Sequence, residues 1–593
     1  MTRPSLIRNE RGIALITVLL LSVALTALAL GAGMISMNAG LIRRYGERAA
    51  VVEDAALAGL EEARSRLNGV DSLYPDIGFV TLENGVAVTN ASGATIPGLT
   101  RWTYAGPSGV SSGQYGVFGS IISVVTDQTN IRVVRRLEVN QESFSKYAYF
   151  SDFENNGSIC FGGGDNIFGP VHSNDDICIY SSGARFRDLV RTNGAMNGAG
   201  YGTFDKGYET GIPSIPMPTV ADLAKLKAQA ILGNTSFAGF TTGGTGQART
   251  RIQFFNFDLN GDTDATDEDE GFIAVFQGTA GNEPYVSATR TSPIDATTNR
   301  NCGDFVGSGV HAGHTAAANF LAVADHGNTL RDNAINEGTA RCYLGGDVAL
   351  NNGAFIVSPP NAVGSWLPWG GAVDARLTAA VGALAAQHLH PITRALNPNF
   401  KGVIYVEGKV GISGTVRGRV TVASPNDIII LDNIRQSIDP STGLCTDIVG
   451  LFSGDDIIIA DNMLNAPVNQ QDGTWQTMRP VGNGDETIHA VVLALDIFTV
   501  ENYNTGPTNV ETCTGTNWGR GCLALTGGII QRTRGAVGTT GGTGNLKRYS
   551  YNGCALSEPP PYFPTTGHFA RNRFYEINPI NFNVATWFTL YQQ

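Results

Sequence analysis

The sequence predicts a mainly β protein that begins with one long α-helix. An uncharged and largely apolar run extends from Ile13 to Ile42, and it is long enough for a helix that crosses a membrane. Beyond it, short runs of β-branched residues alternate with glycine, asparagine and aspartate, a pattern typical of strands joined by turns. We therefore expect one long helix with a sheet, followed by stacked short strands that are interrupted by a mixed insertion.

The composition suits several extracytoplasmic domains. A chain of 593 residues can form more than one hydrophobic core, and its 74 glycines and 16% charged residues favour turns and strands over helices. The net charge is −12 and no basic patch is present, so we expect no nucleic-acid partner. In order, we expect an N-terminal segment at 1–12, a long helix at 13–68, a β head at 69–146, a first stacked-strand part at 147–200, a mixed insertion at 201–400 and a second stacked-strand part at 401–593.

The N-terminal charges orient the apolar run. Arg3, Arg8 and Arg11 precede it and outnumber Glu10, which places the N-terminus in the cytoplasm and the bulk of the chain outside. A cleaved secretory signal would have a shorter apolar core, although small residues do occur at 27–29. Simple secretion and an ordinary membrane anchor both stay open as alternatives.

The junction at 10–16, ERGIALI, resembles the class III signal of type IV prepilins. The resemblance implies that a prepilin peptidase cleaves after Gly12 and methylates the new N-terminal residue, Ile13. It also implies that the helix first anchors the protein in the bacterial inner membrane, with the head on the extracytoplasmic side. The helix would later pack against other pilins or pseudopilins inside a filament at the cell surface.

One position departs from the pattern of the main pilins. Those proteins carry glutamate at the fifth mature position, where this sequence has Thr17. A buried carboxylate can neutralise the terminal ammonium of a neighbouring subunit, and an unpaired buried charge costs several kcal/mol. Thr17 cannot supply that charge. In this respect the sequence resembles the K-type minor pseudopilin of type II secretion and PilX-type minor pilins, which implies a minor or tip subunit acting in assembly, adhesion or secretion.

The helix is expected to continue well beyond the apolar run. Apolar residues recur at helical spacing and predict one buried stripe, formed by Leu41, Ala49, Val52, Ala56, Leu60, Ala63 and Leu67. Asn68 and Gly69 form a suitable C-terminal cap. Strands are then expected at 78–82, 115–118, 121–125 and 131–139, and their sheet would cover the apolar stripe.

An internal repeat predicts the stacked strands. Residues 426–433 are echoed at 455–462, an offset of 29, and 175–179 is a looser third copy. The segments 402–422, 491–495 and 522–531 continue the rhythm. This region resembles a group of large bacterial proteins with a PilX-like N-terminus and a solenoid-like C-terminal half, through 169–174, 402–408, 527–531 and 559–564. No enzymatic activity follows from that resemblance.

The insertion contains two predicted helices and an acidic loop. Thr219 is expected to cap a helix that runs to Leu232, and the alanine-rich segment 374–388 is expected to be helical. At 258–270, oxygen-bearing side chains occupy positions 1, 3, 5, 7 and 12, the spacing of an EF-hand-like Ca²⁺ loop. The predicted ligands are Asp258, Asn260, Asp262, Asp264 (through its carbonyl) and Asp269. A solvated acidic turn without metal is the alternative.

The eight cysteines all follow the apolar helix, which is consistent with an oxidising compartment. No Cys-x-x-Cys motif is present, so zinc is not expected. The nearest-neighbour pairing expected here is Cys160–Cys178, Cys302–Cys342 and Cys513–Cys522, which leaves Cys445–Cys554.

For the remaining histidines and paired carboxylates we expect structural roles rather than catalytic or metal-binding ones. The pairs His311/His314 and His388/His390 lack a third metal ligand, and the adjacent carboxylates 175–176 and 455–456 point to opposite faces of a strand. No nucleophile elbow, phosphate loop or dinucleotide motif occurs. We therefore expect no enzymatic activity. The alternative is a membrane-tethered β-helical protein that binds or cleaves carbohydrate, and a plain surface adhesin is a third hypothesis.

Overall fold

A computed structural model provides the structure of the chain. It describes residues 10–591 except 71–72, 76–77, 109–117, 155–158, 164, 239–249, 279–363, 460–485, 501–502, 505–521 and 540–543. The described residues form two compact units. Among the described residues, the first consists of 10–108, 118–140 and 568–591, and the second lies within 141–567.

The strands occur throughout both units. The first seventeen are β1 (Val80–Thr89), β2 (Thr95–Pro107), β3 (Phe118–Asp127), β4 (Arg132–Ser143), β5 (Tyr149–Phe153), β6 (Asp165–Ile167), β7 (Val171–Ser173), β8 (Ile177–Cys178), β9 (Ala184–Phe186), β10 (Val190–Thr192), β11 (Met196–Asn197), β12 (Gly202–Phe204), β13 (Tyr208–Thr210), β14 (Ser236–Phe237), β15 (Thr250–Asn256), β16 (Gly271–Gly278) and β17 (Gly364–Trp366). The others are β18 (Leu389–Pro391), β19 (Val403–Val406), β20 (Val410–Val416), β21 (Arg419–Ser424), β22 (Ile428–Gln436), β23 (Ile448–Ser453), β24 (Ile457–Ile459), β25 (Glu486–Ile488), β26 (Val491–Ala494), β27 (Phe498–Val500), β28 (Cys522–Thr533), β29 (Leu546–Tyr551) and β30 (Thr565–Ile577).

The long helix α1 spans Glu10–Gly69, 60 residues, and is about 90 Å long at 1.5 Å per residue. Its last residue is Gly69, at the position where the sequence predicts the helix to stop. The predicted stripe is buried from Val52 to Leu67, whereas Leu41 and Ala49 are exposed. The packed part of the helix therefore starts later than the periodicity indicates, because the sheet reaches only the second half of α1.

The first unit is an antiparallel sheet in the order β1-β2-β3-β4-β30. Successive residues of a strand point to opposite faces. Ile121 and Val125 of β3 accordingly pack with α1, whereas Ile122 and Val124 pack with the C-terminal helix Val584–Tyr591. The final strand β30 is added at the β4 edge of this sheet. Part of the segment expected at 401–593 therefore belongs to the first unit.

The second unit consists mainly of parallel ladders. One ladder runs in the order β14-β19-β21-β23-β26-β28-β5-β7-β10-β13. In the other, β15 pairs with β20 and β20 with β22, and β22 continues both to β24-β27 and to β25-β28-β29-β6-β9-β12. Strands β16, β17 and β18 extend the β15 side in antiparallel pairing. The prediction of stacked short strands is confirmed.

The repeat between 426–433 and 455–462 corresponds to two neighbouring strands of a parallel ladder. Ile428 pairs with Ile457 and Ile430 with Ile459, so the two copies are neighbouring parallel strands. The looser third copy is not part of this stack, because Ile177 pairs with Met196 in a separate two-stranded sheet. Its likeness to the other copies lies in the turn rather than in the pairing.

A second repeat, which the sequence analysis missed, organises residues 165–210. Val190 of β10 pairs with Val171 of β7 on one side and with Tyr208 of β13 on the other, at nearly equal spacing along the chain. The signal is weak in sequence because each strand is very short. In this region, the rings of Phe161, Phe186 and Phe204 follow one another with centroids 5.1 and 5.2 Å apart.

Both predicted helices of the insertion are present. Helix α2 spans Val220–Leu232, and Thr219 and Asp222 form a capping box at its start. The alanine-rich segment forms two short helices, Ala375–Val381 and Ala383–Ala386. They are separated at Gly382, whose φ of 87° is not helical.

Candidate functional sites

The first candidate site is the N-terminal half of α1. Large apolar side chains here are exposed, for example 65% for Ile13 and 72% for Met37. Among the described residues, α1 is the one helix that is long and apolar enough to cross a membrane. The Thr17 hydroxyl donates to the carbonyl of Ile13 at 2.8 Å, so it is satisfied within its own helix.

Ion pairs attach the second half of α1 to its sheet. Arg101, buried beneath the helix, contacts Glu62 of α1 and Glu83 of β1, the latter at 2.7 Å. Gly59 makes room for this side chain, since a Cβ there would lie 2.5 Å from the Arg101 Cδ. Buried arginine with two carboxylates fixes the angle of the helix on the sheet more strictly than apolar contact alone, because each hydrogen bond has a preferred direction.

The predicted calcium loop lies between β15 and β16, which form an antiparallel hairpin. Thr263 has a φ of 79°, the left-handed conformation for which such loops normally use glycine at the sixth position. The N–H groups of Gly261 and Thr263 donate to the Asp258 carboxylate at 2.6 and 2.9 Å and lower its pKa. The backbone therefore adopts the sharp turn that an oxygen-ligand loop requires.

The predicted ligands are not equally available. Asp258, Asn260, Asp262 and Asp264 share the exposed turn, and the Asn260 amide donates to Asp262 and Asp267. Asp269, the expected twelfth ligand, instead pairs with Arg376 at 2.7 Å. The donor set at the turn fits Ca²⁺, while Asp269 fits only if its contact with Arg376 is released.

Glu270 next to the loop has a role that the sequence did not reveal. Its carboxylate is fully buried and accepts the N–H groups of Leu259 at 2.7 Å and Asp267 at 2.9 Å. These two bonds join the start of the acidic loop to its end. Glu270 therefore holds the two ends of the loop together, and this does not use the exposed carboxylates of the turn.

A second acidic group lies at the turns before the neighbouring strands β22 and β24. Asp427, Asp455 and Asp456 place carboxylate oxygens within 4.8 Å of one another. Lys409 contacts Asp427 at 2.5 Å. Burial, together with Asp427 and Asp455, raises the pKa of Asp456 to about 6. The internal repeat was the signal for this group, since it aligns Asp427 with Asp456. Lys409 therefore supplies the positive charge beside this group of carboxylates.

A buried polar cluster lies where β5 meets β28. Arg534 and Glu154 form a fully buried pair at 2.7 Å, and the Tyr149 hydroxyl donates to the same carboxylate at 2.7 Å. The Arg534 guanidinium lies 3.8 Å from the centre of the Phe161 ring. Burial lowers the pKa of Lys547, which pairs with Asp165 at 3.2 Å in the same interior. Sequence separation hid this cluster, because its partners are about 380 residues apart.

The structure also gives the positions of several predicted cysteines and histidines. The disulfides Cys160–Cys178 and Cys445–Cys554 are present, as expected, and Cys522 is also disulfide-bonded. His390 Nε2 contacts the Leu367 carbonyl and His388 Nδ1 contacts the Leu384 carbonyl, so each ring has a backbone partner. Cys302, Cys342, Cys513, His311 and His314 lie outside the described residues.

Comparisons with known proteins give little further information. No protein-family model matches the chain, and no curated protein matches it. Among solved structures, the chain is similar to the competence-associated pilin ComZ from Thermus thermophilus. The identity is 12% and the TM-score 0.27, over 88% of this chain and 96% of that one. A likeness at this TM-score does not carry an argument about fold or function.

Proposed function

We propose that the protein is a minor subunit, at the tip or surface, of a type IV pilus or a type II secretion pseudopilus-like filament. The observation that carries the proposal is α1. Its first half exposes apolar side chains over the whole stretch from Ile13 to Ile42, while its second half packs on a sheet. Such a helix can exchange lipid contacts for contacts with the helices of other subunits, since both surroundings bury the same apolar surface.

Thr17 supports a minor position rather than a main shaft position. A shaft subunit receives a neighbour at every step, and each neighbour adds a terminal ammonium that needs a charge partner. Thr17 offers only a hydroxyl, which already donates to the carbonyl of Ile13. The subunit is therefore suited to a place where assembly begins or ends, and its large β head would then act in assembly, adhesion or secretion.

The experiment is mass spectrometry of the native N-terminus in cells that assemble the filament. We expect a chain that starts at N-methylated Ile13, after removal of residues 1–12 by prepilin peptidase. Gly12→Val should keep the leader and fail to co-purify with filaments. Gly31→Val is the matched control, since a Cβ at Gly31 meets nothing within 4 Å. An intact Met1 in the mature wild-type chain would overturn the proposal.

We also propose that the loop at 258–264 binds Ca²⁺ through Asp258, Asn260, Asp262 and the Asp264 carbonyl. The turn at Thr263 supports this, and so does the concentration of carboxylates, whose repulsion a cation relieves. The ion would stabilise the exposed turn between β15 and β16. Asp258→Asn with Asp262→Asn should remove the difference in melting temperature between calcium and chelator, whereas Glu268→Gln in the same loop should retain it. An unchanged chelator effect in the double variant would contradict this site.

A further inference from the structure

A cavity of about 360 Å³ lies within the first unit, on the sheet face that points away from α1. Trp102 and Tyr104 of β2, Thr126 of β3 and Arg132 of β4 line it. Phe582 and Asn583, just before the C-terminal helix, also line it, and the Arg132 guanidinium lies 5.8 Å from the centre of the Phe582 ring. The volume is in the range of small-molecule sites.

The walls combine flat apolar surfaces with hydrogen-bonding groups. Trp102 and Tyr104 are two residues apart on β2, so both rings project from the same face, and both are half-buried. Phe582 adds a third ring to the lining. Thr126 and Asn583 also line the cavity, and the Asn583 Oδ1 accepts from the Thr586 N–H and hydroxyl at 3.0 and 3.2 Å. This arrangement suits a ligand with a C–H face and several hydroxyl groups.

Arg132 gives the cavity a positive charge. Its neighbours on β4, Arg135 and Arg136, pair with glutamates, whereas Arg132 donates to the carbonyls of Pro579 and Phe582, at 3.3 and 3.4 Å. No carboxylate among the described residues lies within ion-pair distance of Arg132. Burial raises the pKa of Tyr104 and the Arg132 charge opposes that rise, so the two side chains share one electrostatic environment. A guanidinium in this setting favours a carboxylate on the ligand.

We propose that this cavity binds a carboxylate-bearing sugar unit of an acidic polysaccharide. The pyranose C–H face would contact Trp102 and Tyr104, the carboxylate would pair with Arg132, and Thr126 and Asn583 would bind ring hydroxyls. The inference goes beyond the proposed filament role and does not depend on it, because the purified chain either binds the sugar or does not, whatever its assembly state.

The test is calorimetric titration of the full chain in detergent with oligogalacturonate, with galacturonate monomer and with neutral oligogalactose of equal length. We expect oligogalacturonate to bind at least tenfold more tightly than the neutral oligomer, with affinity falling as salt rises. Binding of the monomer identifies a single-sugar site, and binding of the oligomer alone identifies a polymer site. Arg132→Gln and Trp102→Leu should each weaken binding at least tenfold.

Two controls separate recognition from folding. Arg573→Gln removes an exposed arginine of the same unit and should leave affinity unchanged. Arg132→Lys keeps the charge without the planar fork and should give intermediate affinity. Equal binding of the neutral oligomer, full affinity in Arg132→Gln, no binding of any uronate, or binding of an acidic peptide in place of the sugars would each overturn the proposal.

Discussion

At the scale of single residues, Arg101 and His390 each place a polar side chain in a buried position. Arg101 lies beneath α1 and reaches Glu62 and Glu83, and it does so because Gly59 has no side chain. His390 is 4% exposed and contacts Phe237 and Trp369 edge-on. Both positions show how a single side chain sets the packing of an element.

Gly59→Ala should destabilise the first unit by about 1–3 kcal/mol, because its Cβ would lie 2.5 Å from Arg101 Cδ and 2.8 Å from Ser123 Oγ. Gly46→Ala is the matched control in the same helix, since its Cβ would meet nothing within 4 Å. That variant should be neutral or stabilising by up to about 1 kcal/mol, from helix propensity. Denaturant unfolding measures both, and equal effects in the two variants would contradict this account.

His390 predicts a loss of stability in acid. Burial lowers its pKa to about 4, and Nδ1 has no hydrogen-bond partner among the described residues. The folded state therefore binds a proton less readily than the unfolded state, whose pKa is about 6.5. Stability from this group is full above pH 6.5 and decreases as the pH falls towards 4, by about 3 kcal/mol at most.

Melting curves between pH 7 and pH 4.5 measure the effect. His390→Phe should flatten the part of the pH dependence that lies below pH 6.5, since phenylalanine keeps the aromatic contacts and does not titrate. His568→Gln, in the first unit, should leave that dependence in place. An unchanged acid slope in His390→Phe would show that other groups cause the loss.

At the scale of elements, the parallel stack includes junctions between distant segments, and the one between β5 and β28 carries a buried charge pair. Strand β5 follows the first sheet in the chain, yet it pairs with β28 through Tyr149–Ile529 and Phe150–Ile530. The buried cluster of Glu154 and Arg534 lies at this junction. A charge pair at a junction specifies one register, because any slip would leave a buried charge unpaired.

Arg534→Met should destabilise the second unit by about 3–5 kcal/mol, because it leaves the Glu154 carboxylate buried without its partner. Adding Glu154→Gln should recover much of that loss, since no unpaired charge then remains. The exposed pair Arg191–Glu209 provides the control, and Arg191→Met should cost at most about 1 kcal/mol. Chemical unfolding of the four proteins measures these differences, and a double variant as unstable as the single one would refute the argument.

The whole molecule is organised by the return of the chain to its first unit. Residues 568–593 provide β30 and the helix Val584–Tyr591, so the sheet formed early in the chain is completed only by its end. Long-range pairing of this kind must wait for the intervening segments, which slows folding. Completion also covers the apolar face formed by Ile122, Val124 and Val134.

Truncation after residue 567 should therefore yield an aggregation-prone chain, because it exposes that apolar face together with the edge of β4. Removal of residues 592–593 alone is the control and should leave solubility unchanged. Size-exclusion chromatography of the purified chains distinguishes the outcomes. A monomeric chain ending at residue 567 would show that the first unit does not need its last strand.

The sequence by itself determined the features that are local. The apolar run and the Asn68–Gly69 cap defined α1, Thr219 defined the start of α2, and the repeat between 426–433 and 455–462 defined one pair of stacked strands. The acidic segment 258–264 lies in the turn between β15 and β16, and its binding of Ca²⁺ stays a prediction. Each of these rests on a short-range sequence pattern, where periodicity, capping and turn chemistry act directly.

Only the tertiary structure decided which distant segments meet. It joined β5 to β28, returned β30 to the first sheet, paired Asp269 with Arg376 and brought Arg132 beside Trp102 and Phe582. The sequence of a very short strand or of a single arginine does not indicate its partner. The pairing depends on which apolar surfaces and charged groups the rest of the chain brings close to it. Local patterns therefore predicted the long helices and one pair of stacked strands, whereas burial and charge pairing determined how distant segments assemble.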